Sequence, residues 1–347
     1  MNSYTFSFKD EMNTYNKIFF FLCAFVIFAV VCLNVSLDVY RIFGIDRWNK
    51  EFVEENIRFL KTNYLISHRD YNAFIFGSSR ANFYDSDLAS KLSGMRYYNF
   101  SCQAERLDRI LQKLVWLKQT GIAIDKAVIG LDFDLMFLSD DLPESALAVK
   151  EHPEVSGGSP VDFYIPFLFQ FNWNNWKKVF KVKFGIKTSS NIKLDLETGN
   201  WSYPDKDEQI SRDAEKYLKE TFSNYVPYER AVGRVPVNLE RLKELINFLD
   251  RESIPRIIII NPYYSETFKS FSKDEYRDWL SQVVSICGEV WDFSGSNRMT
   301  SNQYLYYDTS HFRLPMGNAV LRRILVPHSL NTDDAQKDFG VLLRDRI

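Results

Sequence analysis

The chain has 347 residues, which is enough for one large domain or two small ones. Hydrophobic residues make up 46% of it and charged residues 25%, a balance that excludes global disorder and allows a packed core. The net charge of −2 lacks the basic excess of a nucleic-acid-binding protein. The four cysteines form no CxxC or Cys/His cluster of the kind that binds zinc. We therefore expect no metal, no cofactor and no nucleic-acid partner. We expect Cys102 and Cys287 to be buried thiols, although a disulfide between them is possible if this part of the chain is exported.

Near the N-terminus, an uninterrupted apolar run occupies residues 18–33 and can be extended to Leu37 with only Asn34 and Ser36 as polar interruptions. At 1.5 Å per helical residue, a run of about 20 residues matches the ~30 Å hydrocarbon core of a bilayer. A buried core helix would be shorter or would show a polar stripe, and a cleaved signal peptide would be followed by a better cleavage site. We therefore predict an uncleaved transmembrane anchor over 18–37.

The orientation of this anchor is predicted from the lengths on its two sides. Lysine and arginine are nearly balanced around it, so the positive-inside rule gives little guidance. A short leader, residues 1–17, before a large body favours a cytoplasmic leader and a periplasmic or extracellular body. The prediction is a single-pass protein of the cell (inner) membrane, with the bilayer as one partner and residues 38–71 as a polar, partly helical connector.

Short apolar runs alternate with amphipathic segments in two stretches of the body, residues 72–137 and 236–327. This alternation predicts an α/β domain with a flavodoxin-like parallel sheet sandwiched by helices. Ligands bind such sheets beyond the carboxyl ends of the strands, so the residues that follow each strand gather at one edge. The expected strands are 72–77, 96–101, 126–133, 255–262 and 289–295, and the expected helices are 85–94, 105–121, 237–250, 273–287 and 316–325.

Residues 138–235 interrupt the alternation with an acidic start, an SGGSP turn and an aromatic stretch at 163–180. We predict an inserted cap region. Three roles are open for its aromatic residues: a small core of their own, a ligand contact or a second membrane contact, although the stretch is too short and too polar to span. Residues 328–347 are charged and are expected to be a frayed tail or an extra helix.

Two serines, Ser78 and Ser79, follow Gly77 directly after the first predicted strand. A serine hydroxyl needs a base to act as a nucleophile. The sequence offers His311, which precedes the last predicted helix and follows Asp308 by three residues. At this spacing a tight turn lets the carboxylate hold Nδ1 of the imidazole while Nε2 accepts the serine proton. We predict Ser79 as nucleophile, His311 as base and Asp308 as the orienting acid; the alternative for each is a capping or surface role.

The pairing of Gly77-Ser78-Ser79 with Asp308-x-x-His311 resembles the SGNH/GDSL hydrolase superfamily. The Phe-Gly-Ser-Ser-Arg run and the N-terminal anchor are similar to membrane-anchored members that work in cell-envelope acylation, such as the teichoic-acid D-alanine transfer and alginate O-acetylation proteins. The resemblance covers the sheet and its helices but not residues 138–235. It implies that Ser79 is the nucleophile and that Ser78, in place of the aspartate of the family motif, supports the turn.

The resemblance also implies an oxyanion hole. Members of the superfamily combine the backbone N–H of the nucleophile with a glycine N–H after the second strand and an asparagine side chain after the third. Here Ser79 supplies the first donor, and the glycine-free second loop offers a backbone N–H near Gln103 or Ala104. The third loop has aspartates, and an ionised carboxylate cannot donate a hydrogen bond. Asn99 and Asn261 are the candidate substitutes.

The function implied by the resemblance is that of a membrane-anchored serine acyltransferase or esterase. Ser79 would attack an acyl donor, and the acyl group would pass to an exported polysaccharide or glycolipid. A membrane-bound O-acyltransferase is the partner that the resemblance suggests. The alternatives are a plain carboxylesterase and a catalytically idle subunit of an envelope polysaccharide-modification complex. Arg80, next to the nucleophile, is interpreted as part of a structural ion pair or as a contact to an anionic substrate.

Overall fold

The computed structural model describes residues 8–44, 55–134, 147–184, 186, 192–223, 235–326 and 338–345. The start of the predicted leader, part of the connector, the acidic start of the insertion and most of the predicted tail lie outside these ranges. The chain divides into two compact units. The first comprises Met1–Asn56 and Gly158–Ser190, and the second comprises Ile57–Gly157 and Asn191–Ile347. The predicted insertion is thus shared between the units, since 158–190 groups with the N-terminal helix and the rest with the sheet.

The described residues form helices and strands along both units. The helices are α1 (Phe8–Leu37), α2 (Ile57–Ser67), α3 (Ser86–Ser93), α4 (Leu107–Gln119), α5 (Pro153–Ser156), α6 (Pro160–Phe169), α7 (Trp173–Lys183), α8 (Pro204–Arg212), α9 (Ala214–Phe222), α10 (Val235–Arg251), α11 (Ser265–Lys269), α12 (Lys273–Cys287) and α13 (Leu314–Leu325). The strands are β1 (Ala73–Phe76), β2 (Tyr97–Asn99), β3 (Lys126–Leu131), β4 (Lys193–Leu194), β5 (Trp201–Ser202), β6 (Arg256–Ile260), β7 (Glu289–Asp292) and β8 (Val341–Arg344).

The first unit is built on α1, whose residues Thr14–Leu37 are long and apolar enough to cross a membrane. This helix contains the anchor predicted at 18–37. The two longer helices of the unit, α6 and α7, account for most of the aromatic stretch of the predicted insertion.

The second unit contains a six-stranded sheet in the order β2-β1-β3-β6-β7-β8. The first five of these strands are parallel, and β8 is antiparallel to β7. The parallel strands follow the order of flavodoxin-like sheets. The sheet is therefore mixed where a parallel sheet was predicted. Val341–Arg344 form one of its two edge strands, where a tail or helix was predicted. The three consecutive apolar residues of this segment, Val341 to Leu343, are too few to show a helical or an alternating period, so the sequence did not reveal this strand.

Two hydrophobic clusters cover the two faces of this sheet. Phe74 and Phe76 of β1 belong to one cluster, and Ala73 and Ile75 belong to the other, as the alternation of a strand requires. Helices α4, α10 and α12 pack on the first face, and α3 and α13 pack on the second together with α8 and α9. Strands buried on both faces explain the nearly continuous apolar runs in the sequence. Cys102 and Cys287 are free, buried thiols, as predicted.

Candidate active site

The turn after β1 presents Ser79 at the carboxyl edge of the sheet. Gly77 leaves the strand with φ = +147°, a conformation that favours glycine because it has no Cβ. The N–H of Ala81 donates to the carbonyl oxygen of Ser78 at 3.0 Å, which closes a turn around Ser79 and Arg80. In this turn Ser79 is half-buried, whereas the residues on either side of it are buried.

The three residues of the predicted triad lie together, although Ser79 and His311 are 232 positions apart. Oγ of Ser79 lies 2.9 Å from Nε2 of His311. Nδ1 of the same ring lies 3.0 Å from Oδ1 and 3.2 Å from Oδ2 of Asp308. The Asp308 carboxylate also accepts the backbone N–H groups of Ser310 at 2.9 Å and His311 at 2.8 Å. The loop backbone therefore holds the carboxylate against the imidazole.

The electrostatic environment keeps Asp308 ionised. Burial by itself would raise the pKa of this carboxyl, but the hydrogen bonds and charge of His311 lower it well below its usual range, with a further contribution from Lys206. Nζ of Lys206 lies 3.4 Å from Oδ2 of Asp308. An ionised carboxylate at Nδ1 favours the tautomer that leaves Nε2 free to accept a proton from Ser79.

Lys206 is a site residue that the sequence analysis missed. It lies on α8, in the part of the predicted insertion that belongs to the second unit. Its ammonium group also lies 4.6 Å from the ring centroid of Tyr203 and 5.7 Å from that of Tyr307. Because Lys206 is 102 residues from Asp308 along the chain, no local spacing pattern could have connected the two.

Arg80 takes part in a buried ion-pair cluster. It is only 3% exposed. Nη1 donates to Asp132 at 2.9 Å and to Asp134 at 2.8 Å, and Nη2 donates to Asp134 at 2.7 Å. Burial by itself lowers the pKa of Arg80, but the two carboxylates raise it well above its ordinary value. The geometry matches the structural ion pair, and it argues against the predicted substrate contact, which would require an exposed guanidinium.

The hydroxyl of Ser78 supports the turn, as its position in the motif suggested. It donates to Oδ2 of Asp132 at 2.5 Å and accepts the backbone N–H of Arg80 at 3.2 Å. Asp132 is one of the aspartates of the third loop, whose carboxylates were predicted to be unable to donate to an oxyanion. In the structure Asp132 is the acceptor that joins Ser78, Arg80 and Asn261.

The loop after β2 runs beside the turn that carries Ser79. The N–H of Cys102 donates to the carbonyl oxygen of Gly77 at 3.1 Å. Gln103 and Ala104 directly follow this contact in the chain. Ala104 has φ = +44°. Within the described part of the chain, the backbone N–H groups of Ser79 and Ala104 donate to no protein acceptor. Neither group is therefore committed to another acceptor among these residues.

Asn99 and Asn261 do not match their predicted role as oxyanion donors. Nδ2 of Asn99 donates to the carbonyl oxygens of Ala81 and Tyr84, both at 2.9 Å. Nδ2 of Asn261 donates to Asp132 at 3.0 Å, and its Oδ1 accepts the hydroxyl of Tyr84 at 2.6 Å. Both side chains are fully buried, and buried amides satisfy their hydrogen bonds with protein neighbours. These two asparagines stabilise the turn and its surroundings instead.

Among the described residues, no group of three or more His, Cys, Asp or Glu side chains could hold a metal ion. No protein-family model matches the chain, and no curated protein matches it either. The features that bear on function are therefore the geometry of Ser79, His311 and Asp308 and the apolar helix α1.

Proposed function

We propose that this protein is a serine acyltransferase or esterase of the SGNH/GDSL type that is anchored in the membrane by α1. Its substrates are the acyl groups of an exported cell-envelope polysaccharide or glycolipid. The observation that carries the proposal is the 2.9 Å approach of Ser79 Oγ to His311 Nε2, with Asp308 behind the ring at 3.0 Å. A serine, an imidazole and a carboxylate in this order form the constellation of nucleophilic acyl transfer.

In the proposed reaction, Oγ of Ser79 attacks the acyl carbonyl carbon while Nε2 of His311 takes the hydroxyl proton. Asp308 stabilises the imidazolium that forms. The oxyanion of the tetrahedral intermediate accepts hydrogen bonds from the backbone N–H of Ser79 and from Gln103 or Ala104. His311 then protonates the leaving oxygen, and the carbon–oxygen bond breaks to give acyl-Ser79.

The second half of the reaction releases the acyl group from Ser79. A sugar hydroxyl, or water in the esterase reaction, loses its proton to His311 and attacks the acyl-enzyme. The new ester or acid leaves, and the proton returns from His311 to Oγ of Ser79. The proposal places the leader in the cytoplasm and the body outside, because the acceptor glycan is exported. A membrane-bound O-acyltransferase would be the partner that supplies the acyl group.

One observation favours a second candidate, a catalytically idle subunit of an envelope polysaccharide-modification complex. Asn99 and Asn261 are fully buried and bonded to protein acceptors. Neither predicted asparagine would therefore donate to an oxyanion at this site, and the loss of one donor in such a hole costs about 10²–10³ in rate.

A fluorophosphonate probe separates these candidates, because it reacts only with an activated serine. We expect full-length protein in detergent to be labelled at Ser79, as identified by peptide mass spectrometry. Labelling should be lost in Ser79→Ala and retained in Ser211→Ala, whose serine is exposed on α8. An unlabelled but correctly folded protein would support the idle subunit. The plain carboxylesterase would be supported if the protein cleaves a simple aryl acetate and no glycan acceptor accelerates this cleavage.

A further inference from the structure

Helix α6 is apolar on two opposite faces, and among the described residues of its unit only one of these faces is packed. Phe163 and Phe167 are each 3% exposed, and the Phe167 ring lies 5.4 Å from that of Tyr40. On the other face, four residues apart, Val161, Ile165 and Phe169 are 64%, 45% and 53% exposed. A helix that is apolar all round normally lies inside a large core or in lipid.

Helix α7 and the turn before it continue this exposed apolar surface. One side of α7 and its C-cap carries exposed aromatic residues at helical spacing: Trp173, Phe180 and Phe184. In the turn before α7, Phe171 is 71% exposed. Lys177 lies on the same side, with Nζ 5.4 Å from the ring centroid of Trp173. Aromatic rings combined with lysine are typical of helices that lie in the headgroup region of a bilayer.

Asn34 ties this surface to the end of α1. Its Nδ2 donates to the carbonyl oxygens of Leu168 and Gln170, both at 2.8 Å. Its Oδ1 accepts Nε1–H of Trp176 at 2.9 Å. A polar side chain in an apolar span is costly unless it is hydrogen-bonded, and these three bonds explain why Asn34 is tolerated. The corner between α6 and α7 is therefore attached to the last turn of α1.

This attachment sets the depth of the exposed surface. The apolar span ends at Leu37, which is three residues beyond Asn34 and thus about 5 Å along the helix axis. The corner between α6 and α7 consequently lies at the level where α1 would leave the hydrocarbon of a bilayer. We propose that α6 and α7 are interfacial helices, with their exposed side chains inserted between the headgroups and upper acyl chains of the membrane that α1 is long enough to span.

Nitroxide labels on the full-length protein in nanodiscs of phosphatidylcholine and phosphatidylglycerol test this proposal. The background is Cys23→Ser/Cys32→Ser, because Cys102 and Cys287 are buried. Labels are placed through Phe171→Cys and Phe184→Cys. Phe28→Cys, on the exposed surface of α1, is the lipid control. Asp274→Cys, whose side chain is 97% exposed on α12, is the water control. The measurement is the collision rate of each label with oxygen and with a water-soluble nickel chelate.

We expect the labels at 171 and 184 to collide several-fold less with the nickel chelate, and more with oxygen, than the label at 274. Nickel accessibility at 171 and 184 equal to that at 274 would overturn the proposal, because the surface would then face water. Spin–spin broadening at 171 that disappears on dilution with unlabelled protein would also overturn it, because a second copy would then cover the surface.

Discussion

Arg80 hydrogen-bonds to Ser310 twice: Nε donates to the carbonyl oxygen at 2.8 Å, and Nη2 donates to Oγ at 2.9 Å. Arg80 directly follows Ser79 in the chain, and Ser310 directly precedes His311. This pair therefore fastens the serine turn to the histidine loop. Since Asp132 and Asp134 fix the guanidinium in turn, the distance between hydroxyl and imidazole depends on a buried ion-pair cluster.

Replacing Arg80 with methionine should destabilise the protein strongly. The variant leaves the buried Asp132 and Asp134 without their cation, and removing one partner of a buried ion pair costs about 3–5 kcal/mol. Arg96→Met is the matched control, because Arg96 and its partner Asp70 have side chains that are 58% and 54% exposed, and exposed pairs contribute at most about 1 kcal/mol. Urea unfolding in detergent measures both. Equal losses in the two variants would contradict a stabilising role for the cluster.

Asp308→Asn should remove most of the proposed activity. The amide could hydrogen-bond either imidazole tautomer, so Nε2 would no longer be held as the proton acceptor, and we expect ester hydrolysis to fall on the order of 10⁴-fold. Lys206→Met is the control: it removes the contact at 3.4 Å to Asp308 but leaves the carboxylate in place. A comparable loss in both variants would mean that charge near the site, and not the tautomer of His311, limits the reaction.

The same substitution has a consequence for stability. Because the pKa of Asp308 is lower in the folded protein than in the unfolded chain, its ionised form stabilises the fold above the unfolded value of about 4. This contribution is lost as the pH falls through the folded pKa. The difference in unfolding free energy between wild type and Asp308→Asn should therefore be greatest near neutral pH and should shrink in acid. A difference that is constant with pH would rule out this linkage.

The sheet was predictable because its strands carry local signals. Ile258 and Ile260 face one cluster and Ile259 faces the other, so the run that contains them is apolar throughout. The encounter of Ser79 with His311 was also predictable, because the strand-edge rule places the residue after β1 and the loop before the last helix on the same rim. The role of Asp308 was predicted from its position three residues before His311.

The parts that were not predicted depend on contacts between distant residues. A structural ion pair was one of the two roles predicted for Arg80, but its partner Asp132 lies 52 residues away, so the sequence did not identify that partner. Asn34 meets Trp176 across 142 residues, and this contact joins α1 to a segment of the predicted insertion within one unit. In both cases the tertiary partner, and not the local composition, determines whether the polar side chain is buried.

Gly77→Ala should destabilise the protein and distort the site. A Cβ at this position would lie 2.8 Å from Cβ of Ala81 and 3.0 Å from the carbonyl oxygen of Gly130, at φ = +147°. Such backbone strain costs on the order of 1–3 kcal/mol, and the contact with β3 would displace the turn that carries Ser79. Gly295→Ala is the control, because a Cβ there would meet no atom within 4 Å. If Gly77→Ala keeps the wild-type unfolding free energy and is still labelled by the fluorophosphonate probe, the turn does not require glycine.

Lys61 should make the stability of the protein depend on pH above neutrality. This side chain is fully buried on α2, and Nζ donates to the carbonyl oxygen of Ser101 at 2.7 Å and to Asn82 at 3.2 Å. Burial lowers the pKa of Lys61 from 10.5 to about 7, with smaller and partly opposing contributions from Cys102, Lys113 and Glu105. Between these two values the unfolded chain holds a proton that the folded protein has released, so stability should rise with pH over this window.

The variant Lys61→Met carries no titrating group at this position, so this rise should be missing from its pH profile. The measurement is the urea unfolding free energy in detergent at several pH values between about 7 and 10.5, the window that the two pKa values define. Lys243→Met serves as the control, because the Lys243 side chain is 49% exposed beside Glu240 and should leave the wild-type profile intact. If Lys61→Met also shows the full rise, another group must release the proton, and the buried amine would then be charged in the folded state.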